Sequence, residues 1–343
     1  MAAQLLEVKN LSVEFKAGSI TTKAINNVDF EVKENECLGV VGESGSGKSV
    51  TASSILKLIP SPPGDITSGQ VLFKNKDLLK MSKQELRKIR GNDISMIFQE
   101  PSSSLNPVLK IGDQITEGIR THQNITKKEA KIKAINILEL VGIPAPEKRV
   151  NMYPHEFSGG MLQRVMIAIA LSCDPSLLIA DEPTTALDVT IQNQILKILK
   201  ELQDELNMSI ILITHDLGVV WEACDKVLVM YAGKSVEYTD AKQLYENPLH
   251  PYTWGLLESQ LTSSQEHGEQ LATIPGAPPD LSYELKGCPF VERCPYAQKI
   301  CYEENPDLVE VDEGHKVACH FQTAGQRLIR KEGAFLDKTT LGS

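Results

Sequence analysis

The chain has 343 residues, of which 41% are hydrophobic and 23% charged, enough for one large domain and a smaller one. No apolar run reaches the roughly 18–20 residues that a membrane helix needs, and the N-terminus does not begin a signal peptide, so we expect a cytoplasmic protein. The formal net charge of −10 argues weakly against a nucleic-acid surface, because such surfaces are usually basic.

The chain begins with two segments, residues 5–15 and 24–32, in which apolar and polar side chains alternate. A glycine-containing turn separates them, which predicts an antiparallel edge sheet. Phe15 ends the first strand and is a candidate to stack on a nucleotide base, since an aromatic ring accepts the face of any base. A core aromatic is an equally good interpretation of this position.

A glycine-rich segment lies between an apolar stretch, residues 37–41, and a predicted helix, residues 50–59. It runs Gly42-Glu43-Ser44-Gly45-Ser46-Gly47-Lys48-Ser49, which matches the phosphate-loop pattern G-x-x-x-x-G-K-[ST]. Glycines let successive N–H groups face one centre, and the helix adds the positive end of its dipole. We expect Lys48 to reach the β- and γ-phosphates and the Ser49 hydroxyl to bind Mg²⁺. The segment predicts a nucleoside-triphosphate site; the alternative is a glycine-rich turn with a solvated lysine.

The next predicted elements surround Gln99. Residues 94–98 form a predicted buried strand that ends at this glutamine, where side chains of an α/β sheet face the ligand crevice. Gln99 therefore suits a Mg²⁺ or water contact, although a solvated turn glutamine is the alternative. Residues 82–90 predict a helix that begins with a capping box. Residues 108–157 are predicted to be mostly helical, with a second capping box at Thr126, and to form a helical subdomain.

A second group of small residues begins a predicted helix at Phe157-Ser158-Gly159-Gly160-Met161-Leu162-Gln163-Arg164. Its start is another anion-binding helix terminus. A single compact site hardly needs two such termini, so we expect this second terminus to serve the nucleotide of another subunit. Taken alone, Ser-Gly-Gly at a helix start is more often only a turn.

Two carboxylates end the predicted strand Leu177–Glu182. We expect Asp181 to hold Mg²⁺, directly or through water, and Glu182 to act as general base on the attacking water. Acidic residues seldom occur at the end of a buried strand for structural reasons alone. The last predicted strand, residues 209–214, ends at His215, for which we expect a γ-phosphate contact.

The cysteines fall into two groups. Cys37, Cys173 and Cys224 stand alone in apolar surroundings and are predicted to be small buried hydrophobes. Beyond a polar stretch and a turn-rich linker, residues 263–279, the other four form a cluster with the spacing C-x5-C-x6-C-x17-C: Cys288, Cys294, Cys301 and Cys319. In a cytoplasmic chain such a cluster predicts a metal site before disulfides.

Four thiolates can bind one Zn²⁺ or a 4Fe–4S cluster. The C-x2–4-C pairs of zinc ribbons are absent, and proline follows both Cys288 and Cys294, as it follows cluster cysteines in some ferredoxins. We favour a 4Fe–4S cluster with a structural or sensing role. Zn²⁺, with His315 or His320 as substitute ligands, and reduced unliganded thiols remain alternatives.

In this order the motifs resemble those of the ATP-binding cassette family of transport ATPases, over roughly residues 5–240. They are the Walker A loop Gly42–Ser49, the Q-loop Gln99, the signature Phe157–Gln163, Walker B Leu177–Glu182, the D-loop Ala186–Asp188 and the switch His215. The resemblance implies an α/β fold of the P-loop NTPase type, with a RecA-like core sheet, an antiparallel β subdomain and a helical subdomain of about residues 100–170. The cassette would span residues 1–255, and a cysteine-containing C-terminal extension residues 256–343.

Three passages look more specifically like the ATPase subunits of dipeptide and oligopeptide importers. They are residues 98–107 (FQEPSSSLNP), 153–161 (YPHEFSGGM) and 250–253 (HPYT). Met161 stands where the broad family commonly has glutamine, which is similar to the peptide-importer branch. Nickel importers share much of this pattern and remain an alternative.

The resemblance implies that two such subunits close head to tail around two ATP molecules with Mg²⁺. Lys48, Ser49, Asp181, Glu182 and His215 of one would face Ser158 and Gly160 of the other. The second ATPase subunit is expected to be related but different, with a homodimer as the alternative. Further partners would be two transmembrane permease subunits and, indirectly, an extracytoplasmic peptide-binding protein, which places the chain at the cytoplasmic face of the membrane.

Two other functions compete with peptide import. One is a soluble ATPase of the same fold that acts on nucleic acid or ribosomes, a class that usually has tandem cassettes, a coiled-coil insertion or basic tails. The other is a metal sensor that uses ATP only as a switch. One cassette, a short insertion and an acidic balance favour the importer, with no nucleic-acid partner.

Overall fold

The structure is a computed structural model that describes residues 3–100, 104–185, 188–261, 273–331 and 334–335. Pro101 of the FQEPSSSLNP passage, Ala186 and Leu187 of the D-loop, and residues 263–270 of the linker lie outside the described residues. The chain forms two compact units. Unit 1 consists of Met1–Leu6, Val32–Cys37 and Phe73–Thr214; unit 2 consists of Glu7–Glu31, Leu38–Leu72 and His215–Ser343.

The strands of the described residues account for every strand that the sequence predicts. They are β1 (Gln4–Ala17), β2 (Ile20–Lys33), β3 (Cys37–Val41), β4 (Gly64–Phe73), β5 (Lys76–Asp77), β6 (Ile94–Ile97), β7 (Leu177–Asp181), β8 (Ser209–Thr214), β9 (Lys226–Tyr231), β10 (Lys234–Asp240), β11 (Val309–Asp312) and β12 (His315–Val317). Short 3₁₀ turns occupy Leu78–Lys80, Pro154–Glu156 and Val291–Arg293.

The helices of the described residues fall between and after these strands. They are α1 (Lys48–Ile55), α2 (Lys83–Ile89), α3 (Ile111–His122), α4 (Lys127–Leu140), α5 (Pro146–Arg149), α6 (Gly159–Leu171), α7 (Val189–Leu206), α8 (Leu217–Ala223), α9 (Ala241–Glu246), α10 (Pro251–Leu261) and α11 (Lys299–Glu303). Within the described part of the chain, no helix is both long and apolar enough to cross a membrane.

Unit 1 contains a parallel sheet in which β7 lies between β6 and β8. Nearly all side chains of these three strands are buried, as expected for parallel strands that are covered on both faces. Because parallel strands end at the same edge of a sheet, the residues that follow β6 and β7 come together there. This edge carries Gln99, Asp181 and Glu182, three of the residues of unit 1 that the sequence singled out.

Unit 2 contains five strands in the order β11-β12-β10-β9-β3. Strand β3 pairs with β9 in parallel, whereas β9, β10, β12 and β11 pair antiparallel in turn. In the same unit β1 is the neighbour of both β2 and β4 in a second sheet. A two-residue turn joins β1 to β2, so the two strands run antiparallel, as the alternating segments predicted.

The two predicted capping boxes are present at helix starts, but one helix ends earlier than the sequence predicts. Ser82 and Thr126 each form a capping box, in which the hydroxyl accepts the N–H of a glutamate three residues on and that carboxylate accepts the N–H of the cap residue. Helix α1 ends at Ile55, four residues before the predicted end. The reason is Lys57, whose φ of 49° lies in the left-handed region that closes helices.

The core of unit 2 is an aromatic cluster that joins the C-terminal segment to the sheet. The ring of Tyr231, at the end of β9, lies 4.6 Å from the ring of Tyr252 in α10 and 5.2 Å from that of Phe290. The rings of Tyr252 and Phe290 are 5.4 Å apart, and all three side chains are almost fully buried. Buried aromatic side chains contribute much of the packing energy of a core. The segment that carries the four clustered cysteines is therefore packed into unit 2.

Candidate functional site

The phosphate loop lies between β3 and α1 in unit 2, and its backbone conformation requires glycine. Gly45 and Gly47 have φ values of 78° and 98°, which L-residues with side chains rarely adopt. A Cβ on Gly47 would stand 2.8 Å from the carbonyl oxygen of Ala24, and a Cβ on Gly42 would collide with the carbonyl of Met230. The loop backbone thus turns tightly against β2 and β9.

Lys48 occupies the inside of the loop. Its side chain is buried, and its ammonium donates to the carbonyl oxygens of Gly42 at 2.6 Å and Glu43 at 2.9 Å. Ser49 is exposed at the start of α1, and the buried hydroxyl of Ser46 has no hydrogen-bond partner among the described residues. One ammonium and two hydroxyls at a helix start fit the phosphates of ATP and its Mg²⁺.

Glu43 is a loop residue whose partners the motif pattern does not reveal. Its N–H donates to the hydroxyl of Tyr252 at 2.8 Å, and its carboxylate accepts two hydrogen bonds from Arg293, at 2.7 and 3.0 Å. Burial raises the pKa of Tyr252, so its hydroxyl stays protonated. Sequence reasoning named Tyr252 only within the HPYT passage and did not single out Arg293. It missed their contacts with the loop because both lie more than 200 residues beyond it.

In unit 1 the structure brings Gln99 and Glu182 together. The Gln99 amide donates to Glu182 Oε2 at 3.0 Å, and the hydroxyl of Thr185 donates to the same oxygen at 2.7 Å. Asp181 ends β7 and is buried. Glu182 has a φ of 46°, and its N–H donates to the Ile213 carbonyl of β8 at 3.0 Å. Such a conformation is uncommon for glutamate and persists only where the surroundings hold it.

The signature and D-loop residues are neighbours in unit 1. Ser158 precedes α6 as its exposed N-cap residue, and its side chain makes no capping hydrogen bond. A Cβ on Gly160 would lie 3.0 Å from Cγ2 of Ile191 in α7. Asp188 caps α7 by accepting the N–H of Ile191 at 2.9 Å. The starts of α6 and α7 therefore lie side by side.

His215 and Phe15 both belong to unit 2. His215 is exposed and follows β8 directly, ahead of Asp216, whose carboxylate caps α8. Phe15 is half-buried near the end of β1, with its ring edge 2.9 Å from the position that a Cβ on Gly64 would take. The nucleotide contacts expected of His215 and Phe15 stay predictions.

The four clustered cysteines line one cavity of unit 2: Cys288, Cys294, Cys301 and Cys319. Burial raises the pKa of the Cys288 thiol to about 11 and that of the Cys294 thiol to about 12. Of the isolated cysteines, Cys37 and Cys173 are buried as predicted, whereas Cys224 is only half-buried against the core of unit 2.

The cavity does not have the form of a single-metal site. Across the described residues, no group of three or more His, Cys, Asp or Glu side chains is arranged to hold one metal ion. The two histidines considered as substitute zinc ligands have other partners. His315 Nε2 lies 2.7 Å from Glu237 Oε1, and His320 Nε2 lies 3.0 Å from the carbonyl oxygen of Glu304.

Glu237 is a second functional-looking residue that sequence reasoning missed. It is fully buried, and its carboxylate accepts hydrogen bonds from the N–H groups of Leu249 and His250 and from the Thr253 hydroxyl, besides its contact with His315. Burial lowers the pKa of His250 to about 4, so its ring is neutral and Nδ1 accepts the Tyr252 N–H. No periodic pattern marks a glutamate on the buried face of β10.

Two family models match the chain. One, described as ABC transporter, covers residues 25–185. The other, described as oligopeptide/dipeptide transporter, C-terminal region, covers residues 236–301. The first range includes the phosphate loop and Glu182, and the second includes Glu237, Tyr252 and three of the four clustered cysteines.

Curated relatives are similar to nearly the whole chain. The chain is 54% identical over 314 residues to the oligopeptide transport ATP-binding protein OppD of Bacillus subtilis (strain 168), covering 92% of this chain and 88% of that protein. It is 49% identical over 319 residues to the dipeptide transport ATP-binding protein DppD of the same organism, covering 93% and 95%. It is 49% identical over 318 residues to OppD of Escherichia coli (strain K12), covering 93% of each chain.

Solved structures share the fold. The ATP-binding cassette MJ0796, in a dimeric post-hydrolysis state bound to ADP and Pi, has a TM-score of 0.62 at 28% identity, covering 69% of this chain and 98% of that one. The protein cbiO1 from Clostridium perfringens, part of the transporter complex cbiONQ, has a TM-score of 0.60 at 29% identity, covering 71% and 92%. The cassette fold is thereby shown.

We expect Glu237→Ala to lower the free energy of unfolding by ~3 kcal/mol, because it leaves several buried donors without an acceptor. The matched control is Glu246→Ala, which removes only an exposed pair with Lys242 and should cost less than ~1 kcal/mol. Urea unfolding followed by the fluorescence of the buried Trp254 measures both. Equal losses in the two variants would contradict the role given to Glu237.

Proposed function

The chain belongs to the ATP-binding subunits of oligopeptide and dipeptide ABC transporters, and on this premise we propose that it hydrolyses ATP to drive peptide import through a membrane permease. The names of the relatives, which describe oligopeptide and dipeptide transport ATP-binding proteins, support the peptide cargo. The cysteine-bearing C-terminal region is shared with the same group of transporters. Nickel import and work on nucleic acid or ribosomes are the competing functions.

The observation that carries the proposal is the held carboxylate of Glu182. We assign Glu182 the role of general base, which takes a proton from the water that attacks the γ-phosphate. Gln99 and Thr185, each within 3.0 Å of Oε2, orient that carboxylate. In the same proposal Lys48 offsets phosphate charge, and His215 contacts the γ-phosphate.

ATP and Mg²⁺ are the cofactors expected of this family. Ser49, Asp181 and Gln99 would hold the Mg²⁺ ion, since a hydroxyl, a carboxylate and an amide supply the oxygen ligands that Mg²⁺ prefers. The ion would offset charge on the phosphates during cleavage. Phe15 would stack on the base, and the backbone and hydroxyls of the loop would surround the phosphates: Gly42, Ser44, Gly45, Ser46 and Gly47.

Membrane permease partners and pairing of two ATPase subunits follow from the family. We propose that the partner ATPase is related but different, and that Ser158, Gly160 and Asp188 face the nucleotide held by it. The helical segment and the Q-loop would contact the permease at the cytoplasmic face, with a peptide-binding protein on the other side. The dimeric state named for MJ0796 supports pairing.

Two measurements test the function. We expect the chain to co-purify from membranes with hydrophobic permease subunits, and vesicles that hold the assembly to take up a labelled peptide when ATP is supplied on the side that carries the ATPase. Co-purification with nucleic acid or ribosomes would contradict the proposal. Uptake of Ni²⁺ without uptake of peptide would favour the nickel alternative.

We further propose that the C-terminal extension, residues 256–343, which follows the cassette of residues 1–255 and packs against it in unit 2, holds a 4Fe–4S cluster on its four cysteines. What supports the proposal is that all four thiols line one cavity and that proline follows both Cys288 and Cys294, as it follows cluster cysteines in some ferredoxins. One Zn²⁺ on the same thiols is the alternative.

For catalysis, we expect Glu182→Gln to bind ATP normally but to hydrolyse it ~10²–10⁴-fold more slowly, the usual scale for loss of a general base. Glu201→Gln, at an exposed position paired with Lys197, is the matched control and should keep normal turnover. Equilibrium binding and steady-state phosphate release measure the two effects. Near-normal turnover in Glu182→Gln would refute the assigned role.

For the proposed cluster in the C-terminal extension, we expect protein purified without oxygen to show an absorbance band at about 400 nm and to contain iron and sulfide. Cys301→Ser should lose both, whereas Cys224→Ser, outside the cavity, should keep them. Stoichiometric zinc in place of iron, or metal-free protein from anaerobic preparations, would contradict the cluster.

A further inference from the structure

Arg293 connects the cysteine segment to the phosphate loop within unit 2. It ends the short turn Val291–Arg293 and directly precedes Cys294, yet its side chain is only 5% exposed. All five guanidinium N–H groups have acceptors. Two bind the Glu43 carboxylate at 2.7 and 3.0 Å, and the others bind the Tyr231 hydroxyl and the carbonyls of Pro275 and Ile274 at 3.2, 2.9 and 3.1 Å.

At the other end of this ion pair, Glu43 is held on three sides. Arg293 binds its carboxylate, the Tyr252 hydroxyl accepts its N–H, and the Lys48 ammonium binds its carbonyl oxygen. The second residue of the phosphate loop therefore cannot rotate without breaking at least one of these bonds. Because Lys48 takes part, the same contacts fix the ammonium that is expected to meet the phosphates.

The turn that carries Arg293 is itself fixed by the cysteine segment. The Cys288 N–H donates to the Cys301 carbonyl at 2.7 Å, and the Arg293 N–H donates to the Phe290 carbonyl at 3.0 Å. The thiols of Cys288 and Cys294, at the two ends of this stretch, both line the cavity. The contact between the Arg293 guanidinium and both oxygens of the Glu43 carboxylate tolerates little misalignment. Because Arg293 directly precedes Cys294, a displacement of Cys294 would disturb this contact.

We propose that Arg293 is a positioning residue that couples the cysteine cavity to ATP binding. It holds Glu43, and with it the phosphate loop, in the geometry that accepts a triphosphate, and it releases the loop when the cysteine segment shifts. A released loop must be ordered again on binding, and an uncompensated Glu43 carboxylate repels the phosphates. The inference goes beyond the proposed function, since it holds whether the cavity carries a cluster or free thiols.

The first test measures the Kd for MgATP in the full-length chain. Arg293→Gln is expected to raise the Kd for MgATP about fivefold or more. A fivefold change of affinity is at the low end of what two coupled binding sites usually show. Arg293→Lys, which keeps the positive charge but not the planar guanidinium that binds both carboxylate oxygens, should give an intermediate Kd. Arg330→Gln, which removes a partly exposed pair with Glu258 in the same C-terminal extension, is the matched control and should leave Kd unchanged. Unchanged Kd in both Arg293 variants would overturn the proposal.

The second test asks whether the cavity acts through Arg293. Cys294→Ser should raise Kd in the natural sequence and have no further effect in an Arg293→Gln background. An equal rise in both backgrounds, or no rise in either, would overturn the coupling. Should Cys294→Ser fail to fold, Glu43→Gln tests the same ion pair from its other partner. It should raise Kd and be non-additive with Arg293→Gln, and additivity would overturn the proposal.

A failure of the proposed function gives a different result. Vesicles that hold the assembly of the unmodified chain would then take up no labelled peptide, or would take up Ni²⁺ instead, whatever the Kd values of the variants for MgATP. Loss of binding confined to the Arg293 and Glu43 variants, with normal binding in Arg330→Gln, supports the coupling alone. Thermal unfolding of each variant, followed by Trp254 fluorescence, confirms that the compared proteins are folded.

Discussion

The arrangement of unit 2 depends on a tight backbone turn, the phosphate loop, between β3 and α1. Side chains are excluded from this loop where the backbones of β2 and β9 approach it. Gly42 and Gly47 show this limit, because a Cβ at either would meet a backbone carbonyl. A loop made of glycine has little rigidity of its own. Its conformation must therefore be held by residues outside the motif.

Buried charge supplies part of that rigidity. Lys48 and Arg293 are both buried, and each donates hydrogen bonds to residues of the loop. Burying a charge is costly unless it is paired, and replacing such a pair with apolar residues is often neutral for stability. The two-pronged contact of Arg293 with Glu43 is accordingly better explained by the geometry that it imposes on the loop than by the stability that it adds.

Local sequence patterns predicted the strands and the capping boxes, but they did not predict the pairs of residues that are distant in sequence. Alternation and apolar runs placed the strands, and the capping boxes at Ser82 and Thr126 formed as expected, because each depends on residues within three positions of one another. Arg293 and Glu43 are separated by 250 residues, and Glu237 and His315 by 78. No local pattern encodes such pairs, since only the tertiary fold brings them together. The early end of α1 at Ile55 was missed because the sequence does not mark Lys57 as a residue with left-handed backbone.

Glu182, the proposed general base, has a backbone conformation that its local sequence does not favour. Glu182 follows a strand of ordinary β-forming residues but adopts a φ of 46°, which its own side chain disfavours. Its N–H is held by Ile213 of β8, and its carboxylate by Gln99 and Thr185. Strain of this kind concentrates at functional sites because surrounding contacts must maintain it. The two units thus use different contacts to the same end: in unit 1 two side-chain donors hold a carboxylate on a strained backbone, and in unit 2 a buried ion pair holds a loop.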